Sequence, residues 1–471
     1  MTELTETSGV PHVVARSAWI ALYVASLASL LFGFNLTVMN VVLPSIEKAF
    51  GSADRATLAW GISGYSITVA ALMLIGGRAA DRLGRLLIFK WGLGVFVAGS
   101  LATALAPGAP WFIGGRLIQA VGAALLSPAS LSMVLPLFPS ERKATAISIW
   151  AAISYLGSGI APGFAATMAD RFGWRSIFFV FAAVGTAVLF VAPRFLPQDP
   201  PRPPADRVDS AGASAGAIGL GLAAYACIDG PRAGWVSAPV LGAAVIGAVL
   251  LTVFTARSLH HPEPLLDLRM LRPRAVWSTL LANVLLTLAG TAVWVLYALF
   301  LVHQWKWPLT RIGLSLMPIP LSAGVTALLA GWAVRRLGAL VVVFVGAMLP
   351  FAGLMLLVWR AGPKPDYLLG LLPGALLFNI GFGLVFGPLN AVTLTSVPEH
   401  QLGQASAAVN TVRQLMSGLG IALVVGILGN APIIALANFR RAYVVLAAVS
   451  LAMLLVTVGL VPKQRLRELR R

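Results

Sequence analysis

A short charged stretch, Gly77–Arg85, lies between two long apolar runs and contains residue types that suit a conformational hinge. Asp81 stands among basic residues and can form charge-assisted bonds that are made in one conformation and broken in another. Glycines at both ends permit a sharp turn and a close approach of helices. The candidate hinge residues of this stretch are Gly77, Asp81, Arg82, Gly84 and Arg85.

A degenerate copy of this stretch occurs much later in the chain, at Gly331–Gly338. Aligned on their first glycines, the two stretches pair Arg82 with Arg336, which makes Arg336 a further candidate hinge residue. Two copies of a charged hinge indicate an internally duplicated transporter. The alternative is that any tight turn of a membrane protein is basic and rich in glycine.

Two arginines lie inside apolar runs. An arginine at the centre of a membrane helix costs roughly 2.5–3.5 kcal/mol, so we expect Arg116 to face a polar partner or a wet cavity, with Gln119 on the same helix face. Arg413 shares a helix face with Asn410 and Gln414. Each arginine is a candidate for substrate contact or conformational coupling; the alternative is that it only ties helices together.

Further candidates are polar or aromatic residues at helical spacing. Asn283 and Trp294 belong to one polar stripe, and an aromatic ring beside a cavity can contact a lipophilic substrate. Trp60 and Tyr65 allow the same interpretation, although Trp and Tyr also anchor helices at membrane interfaces. Pro162 removes a backbone hydrogen bond and permits a bend or close packing, with or without relevance to transport.

Carboxylates are scarce inside the apolar runs. None of the sixteen lies deep in a run, and Asp229 comes closest. With two arginines inside the runs and no carboxylate at comparable depth, we expect a neutral or anionic substrate. The single cysteine, Cys227, excludes an intramolecular disulfide, and no metal-binding cluster is found. Motifs of hydrolases, zinc proteases and nucleotide-binding enzymes are not found, so we expect neither catalysis nor a cofactor.

The composition identifies the elements that carry these residues. The chain of 471 residues is 58% hydrophobic and 11% charged, whereas soluble domains carry about 25% charged residues. It is therefore an integral membrane protein with an all-α fold. Fourteen apolar runs are long enough to span a bilayer. The predicted spans are 18–42, 57–77, 86–106, 111–136, 144–168, 174–195, 211–229, 235–256, 275–302, 310–333, 338–359, 366–395, 404–429 and 441–462.

The net charge of +18 lies in short clusters between these runs, a pattern of membrane topology that argues against nucleic-acid binding. The basic residues are more numerous on the side that holds both termini, so both termini are predicted to be cytoplasmic. The chain divides into six spans, an inserted pair and six more spans. The predicted parts are a cytoplasmic leader (1–17), an N-terminal six-helix bundle (18–195), a linker with the inserted pair and an interfacial segment (196–274), a C-terminal six-helix bundle (275–462) and a basic cytoplasmic tail (463–471).

Four motifs carry a family resemblance. They are Asn35–Pro44 in the first span, Gly77–Arg85 between the second and third, Arg116–Ala124 in the fourth and Gly157–Gly163 in the fifth. In this order and spacing the chain resembles the major facilitator superfamily, in particular its fourteen-helix drug:proton antiporter branch. The resemblance adds Asn35 and Asn40 to the candidate substrate or coupling residues. The branch typically has Asp at the position of Asn35, and an amide cannot titrate.

The resemblance implies a multidrug efflux transporter that works by alternating access and exchanges its substrate for protons. Its expected partners are a small amphiphilic molecule, protons and the lipid bilayer, and the chain is expected to act as a monomer in the bacterial plasma membrane. Two alternatives stay open. One is a dedicated exporter or uniporter of a single neutral or anionic metabolite, and the other is a membrane sensor that does not transport.

Overall fold

The computed structural model describes residues 15–51, 55–198, 209–261, 264, 266–428, 435–459 and 461–462. Regular structure in these residues is helical, because a chain in a bilayer must satisfy its backbone hydrogen bonds internally. The first helices are α1 (Arg16–Ala49), α2 (Arg55–Leu83), α3 (Arg85–Ala104), α4 (Ala109–Val134), α5 (Ser140–Phe172), α6 (Arg175–Phe195), α7 (Ser210–Ala233) and α8 (Ala238–His260). The remaining helices are α9 (Arg274–His303), α10 (Leu309–Leu316), α11 (Pro318–Leu337), α12 (Ala339–Arg360), α13 (Leu372–Thr395), α14 (Leu402–Leu428) and α15 (Leu436–Gly459).

Within the described residues, thirteen stretches are long and apolar enough to cross a membrane. The seventh predicted span corresponds to α7, whose apolar part, Ala211–Cys227, is shorter than the others. The tenth predicted span consists of two consecutive helices, α10 and α11, because the prolines that open α11 cannot donate hydrogen bonds to the preceding turn. The predicted leader up to residue 14, residues 199–208 of the linker and the tail from residue 463 lie outside the described residues.

The helices pack as two groups. In the N-terminal group (α1–α6), α4 packs on α2 and α3, while α5 packs on α1 and α3 packs on α6. In the C-terminal group (α9–α15), α12 packs on α13 and α15, and α9 packs on α13, α14 and α15. The groups meet along α2 with α14 and along α5 with α11 and α13. We call this contact surface the seam.

The inserted pair, α7 and α8, lies against one side of the seam. Helix α7 packs on α2 of the N-terminal group and on α14 of the C-terminal group. Asp209 closes one end of the pair, since Oδ1 accepts a hydrogen bond from the amide of Gly212 at 2.8 Å and from Nη2 of Arg257 at 2.7 Å. Through α7, the inserted pair contacts both groups of helices.

Candidate functional site

The carboxylate of Asp81 caps a helix of the opposite group. Asp81 lies in the last turn of α2 and is 9% exposed. Its Oδ1 accepts from the amide of Gly403 at 3.0 Å, and its Oδ2 accepts from the amide of Gln404 at 2.8 Å, both in the first turn of α14. First-turn amides lack partners within their own helix and carry the positive end of its dipole. Asp81 therefore joins α2 to α14 across the seam.

Arg85 supports this carboxylate from the N-terminal group. Its Nη2 lies 3.4 Å from Oδ1 of Asp81, and its Nη1 donates to the carbonyl of Ser132 in α4 at 2.8 Å. Gly84, between α2 and α3, has a φ of 117°, which glycine adopts without the strain of a Cβ. Arg82 lies partly exposed in the same turn of α2.

Two glycines allow the helices to meet at the capped end. A Cβ on Gly77 would lie 2.4 Å from the carbonyl oxygen of Gly403, and a Cβ on Gly403 would lie 2.5 Å from the carbonyl oxygen of Gly77. Any larger side chain at either position would push α2 and α14 apart. The amides of α14 could then no longer reach Asp81.

The second copy of the hinge occupies the matching place on the other side of the seam. A Cβ on Gly331 of α11 would lie 2.8 Å from Oγ1 of Thr145 in α5. Arg335, at the position equivalent to Asp81, donates to the same hydroxyl at 2.8 Å. Arg336 is exposed and lies over the ring of Trp332, 5.4 Å from its centroid. The contact across the seam is thus made by Arg335, the neighbour of the residue that the sequence analysis selected.

Arg116 is the centre of a buried polar network within the N-terminal group. It is 1% exposed. Its Nε donates to the carbonyl of Gly61 in α2 at 3.0 Å, and its Nη1 donates to the side-chain oxygens of Asn35 in α1 and Gln119 in α4. The guanidinium also lies 4.4 Å from the centroid of the Tyr65 ring. Arg116 therefore has polar partners on three helices and does not face an open cavity in this conformation.

The neighbours of this network differ in their roles. Gln119 extends the network to α3, because its Nε2 donates to Oγ of Ser100 at 2.8 Å. Trp60 lies outside it and stacks on Tyr225 of the inserted pair, with centroids 5.9 Å apart. The side chain of Asn40 lies outside the described residues. Asn35, Tyr65, Arg116 and Gln119 are thus brought together, and Trp60 is not.

Arg413 of α14 faces the seam. Its Nη1 donates to Oδ1 of Asn410 at 3.1 Å, and its Cζ lies 4.9 Å from the centroid of the Phe386 ring in α13. Gln414 is partly exposed beside it. Unlike Arg116, Arg413 is only partly buried.

The remaining candidates lie in α9 and α5. Asn283 is fully buried and donates to the carbonyl of Thr279 one turn earlier in α9 at 3.0 Å. Trp294 packs against the apolar core of the C-terminal group. Pro162 lies inside α5, which runs unbroken from Ser140 to Phe172. Among the described residues, no hydrogen bond joins Asn283 or Trp294 to Arg413.

A sequence model of the Major Facilitator Superfamily matches residues 25–421. The chain belongs to this superfamily. It is 28% identical over 417 residues to the multidrug resistance protein Stp of Mycobacterium tuberculosis (strain CDC 1551), covering 88% of this chain and 76% of the relative. It is 30% identical over 457 residues to the cephamycin export protein CmcT of Amycolatopsis lactamdurans, covering 94% of this chain and 92% of the relative.

A solved structure shares the fold. The proton:xylose symporter XylE superposes with a TM-score of 0.67 at 17% identity, covering 96% of this chain and 97% of that one. The all-helical architecture of the described residues is therefore the major-facilitator fold. Family and fold are those of a transporter rather than of an enzyme.

Several seam residues of this superfamily member were not among the sequence candidates. Tyr155 of α5 makes T-shaped contacts with Phe382 and Phe386 in α13, with centroids 5.5 and 5.7 Å apart. The side-chain oxygen of Gln404 accepts a hydrogen bond from the amide of Asp267 at 3.0 Å. This bond attaches the segment after the inserted pair to the capped end of α14. Each residue is of an ordinary type for its helix, so the sequence held no signal for these contacts.

Proposed function

We propose that this chain is a membrane efflux transporter that exports small amphiphilic drugs or metabolites by alternating access between its two groups of helices. The observation that carries the proposal is the Asp81 cap, in which a carboxylate of one group binds two backbone amides of the other. The names of the relatives, a multidrug resistance protein and a cephamycin export protein, support export as the direction.

The strength of this cap suits a reversible contact. Hydrogen bonds to charged groups contribute about 1.5–3 kcal/mol each. Two such bonds are comparable with the roughly 5.5 kcal/mol that moves a two-state equilibrium from one side to the other. The cap is thus strong enough to favour the conformation described here, and substrate binding can still open it.

The membrane setting is part of the proposal. We place the chain as a monomer in the bacterial plasma membrane, with both termini in the cytoplasm. Helix α7 also spans the membrane, which brings the total to fourteen spans. The capped end of the seam is then its cytoplasmic end. The proposed parts are the leader 1–17, two bundles at 18–195 and 275–462 around the segment 196–274, and the tail 463–471.

We propose proton exchange as the energy source. One observation favours a second candidate function, transport that does not use the proton gradient. The partner of Arg116 in α1 is the amide of Asn35, so no proton can be exchanged at that position. A dedicated exporter or uniporter that does not consume the proton gradient would need no carboxylate there. Arg116 and Asn35 then serve to hold α1, α2 and α4 together.

Expression in a bacterium that lacks its major efflux pumps tests the proposal. We expect resistance to rise for at least one class of amphiphilic antibiotic, and the same compound to accumulate in inverted membrane vesicles. Cells that carry the empty vector provide the baseline. Unchanged resistance and unchanged vesicle uptake across cationic, neutral and anionic compounds, with the protein present in the membrane, would contradict export.

A further inference from the structure

An aromatic cluster with one arginine lies where the two groups of helices meet. Phe382 and Phe386 of α13 stack with centroids 6.0 Å apart and an interplanar angle of 9°. Tyr155 of α5, in the other group, meets both rings edge-on. Arg413 of α14 lies over the face of Phe386. These four side chains come from three helices and from both groups.

The arginine of this cluster carries a charge that its surroundings leave uncompensated. Within the described part of the chain Arg413 forms no ion pair, and its hydrogen-bond partner is the neutral amide of Asn410. Arg116 also has neutral partners but more of them, since it donates to a carbonyl and two side-chain amides on three helices. A guanidinium stays protonated at any physiological pH and offers five donors. Most donors of Arg413 therefore remain for a ligand.

The cluster also contains a polar group without a partner. The hydroxyl of Tyr155 is fully buried and makes no hydrogen bond among the described residues. Arg413 is near enough to act on this hydroxyl electrostatically. A buried hydroxyl without a partner costs about 1–3 kcal/mol. An acceptor placed between Tyr155 and Arg413 would remove that cost and pair with the guanidinium.

We propose that Arg413, Tyr155, Phe382 and Phe386 form a subsite for an amphiphile that combines a carboxylate with an aromatic or other flat apolar group. The carboxylate pairs with Arg413, since planar guanidinium and carboxylate groups match in a two-bond geometry. The apolar part contacts the rings from both groups. Because the cluster spans the seam, its occupation changes with the conformational step. This inference rests on the proposed export function and gives it a substrate class.

The binding test uses two probes that differ only in charge. Dansylglycine carries a carboxylate beside an aromatic group, and dansylglycinamide is its neutral counterpart. Titration of the purified full-length protein by dansyl fluorescence should give a dissociation constant at least about tenfold lower for the acid than for the amide, as expected for a charge-assisted pair. Equal binding of the two probes, or preferred binding of the cation ethidium, would overturn the proposal.

Variants test which residue causes the preference for the acid over the amide. Arg413→Gln should abolish the preference for the acid, whereas Arg413→Lys should keep part of it. Tyr155→Ala should weaken binding of both probes through lost ring contact, and binding of the acid more, because the hydroxyl that donates to the carboxylate is lost as well. Arg311→Gln is the matched control, because Arg311 also lies over an aromatic ring, 3.9 Å from the centroid of Trp307, but is not part of the proposed subsite. A preference that survives Arg413→Gln in protein with unchanged thermal stability would show that the carboxylate binds elsewhere.

Uptake into inverted vesicles separates this inference from the export function. Accumulation of dansylglycine that falls at least tenfold in Arg413→Gln supports both. Accumulation of the amide or of ethidium, without dependence on Arg413, would leave export standing and overturn the subsite. Binding of dansylglycine that depends on Arg413, with no accumulation, would leave the subsite standing and contradict export of this class.

Discussion

At the scale of single residues, two charged side chains are satisfied in opposite ways. Asp81 binds backbone amides of another group of helices, so in the proposed alternating-access cycle its partners move away. Arg116 binds acceptors within its own group and is nearly inaccessible. A charge whose partners can leave suits a conformational role, and a charge with fixed partners suits a structural one.

Substitution of Asp81 should impair transport without unfolding the protein. Asp81→Asn keeps an acceptor oxygen but loses the negative charge that the first turn of α14 favours. Losing about 1.5–3 kcal/mol of charge-assisted bonding shifts the two-state balance by more than tenfold. Uptake into inverted vesicles should fall by about that factor at equal membrane abundance. Asp170→Asn, exposed at the far end of α5, should leave uptake unchanged. A normal rate in Asp81→Asn would remove the cap from the mechanism.

The Arg116 network makes a prediction about stability. The Nδ2 group of Asn35 is buried without a partner among the described residues, while its Oδ1 accepts from Arg116. Asn35→Asp should raise the melting temperature in detergent, because it removes the unpaired donor and adds a charge opposite the arginine. An unsatisfied donor costs about 1–3 kcal/mol.

Asn283→Asp is the matched control for this prediction. Asn283 is equally buried, but its Nδ2 donates to a carbonyl, so the change removes a bond and adds a charge without a cationic partner. Its melting temperature should fall. Destabilisation of both variants by the same amount would show that Arg116 does not compensate the new carboxylate.

At the scale of helices, the two copies of the hinge perform unequal tasks. Both place a glycine against the opposite group, but one supplies Asp81 to two backbone amides and the other supplies Arg335 to one hydroxyl. A hydroxyl contact of a partly solvated arginine is weaker than a carboxylate cap. The polar contact across the seam is therefore stronger between α2 and α14 than between α5 and α11.

This asymmetry predicts a graded effect in the second copy. Arg335→Gln should lower vesicle uptake by only about twofold to tenfold, since a net bond of about 0.5–1.5 kcal/mol is lost. Arg336→Gln is the adjacent control, because Arg336 lies over Trp332 of its own helix. Equal losses in the two variants would assign the effect to loop charge and not to the contact with Thr145.

The inserted pair gives a prediction about pH. Burial alone would raise the pKa of Asp209, but hydrogen bonds from Arg257 and from the amide of Gly212 hold it below its usual value. The stabilisation is therefore complete above the unfolded-state pKa of about 3.9 and is lost as the pH falls through the lower folded-state pKa. The contribution of this pair to the melting temperature of the wild type should not change with pH near neutrality and should decline below about pH 4.

Two variants separate the helix cap from the ion pair at Asp209. Asp209→Asn keeps a cap acceptor and loses only the pairing with Arg257, whose side chain is 40% exposed and therefore screened by salt. Asp209→Ala loses both and should be less stable than Asp209→Asn by about 1 kcal/mol. Equal melting temperatures of Asp209→Asn and Asp209→Ala would show that the helix cap does not stabilise the inserted pair of helices.

At the scale of the whole molecule, energy coupling needs a group that titrates. Asp229 of α7 is a described carboxylate close to the seam, where the hydroxyl of Tyr225 binds it and Trp60 of α2 stacks on Tyr225. His303, in the last turn of α9, is the other candidate. Helix α7 contacts both groups.

A protonophore should therefore collapse uptake into inverted vesicles, and Asp229→Asn should remove most of the dependence on the pH gradient. His303→Gln provides the comparison. Collapse that persists undiminished in both variants would exclude both residues as the proton site. Uptake that never responds to the protonophore would favour the uniporter.

The sequence by itself determined the membrane class, most of the spans and the superfamily. These follow from local properties, because each span must be apolar and must satisfy its own backbone hydrogen bonds. It also indicated that Arg116 needs partners, since an isolated charge inside an apolar run is costly, and that Asp81, between two runs, can form charge-assisted bonds.

Only the tertiary structure decided which partners those charges have. Asp81 binds an amide 322 residues away, and Arg116 binds groups 55 and 81 residues away. The same holds for Arg335, which contacts a hydroxyl 190 residues away, while its neighbour Arg336 turns back onto its own helix. Hydropathy and spacing describe one helix at a time, whereas these contacts depend on how distant helices face one another across the seam.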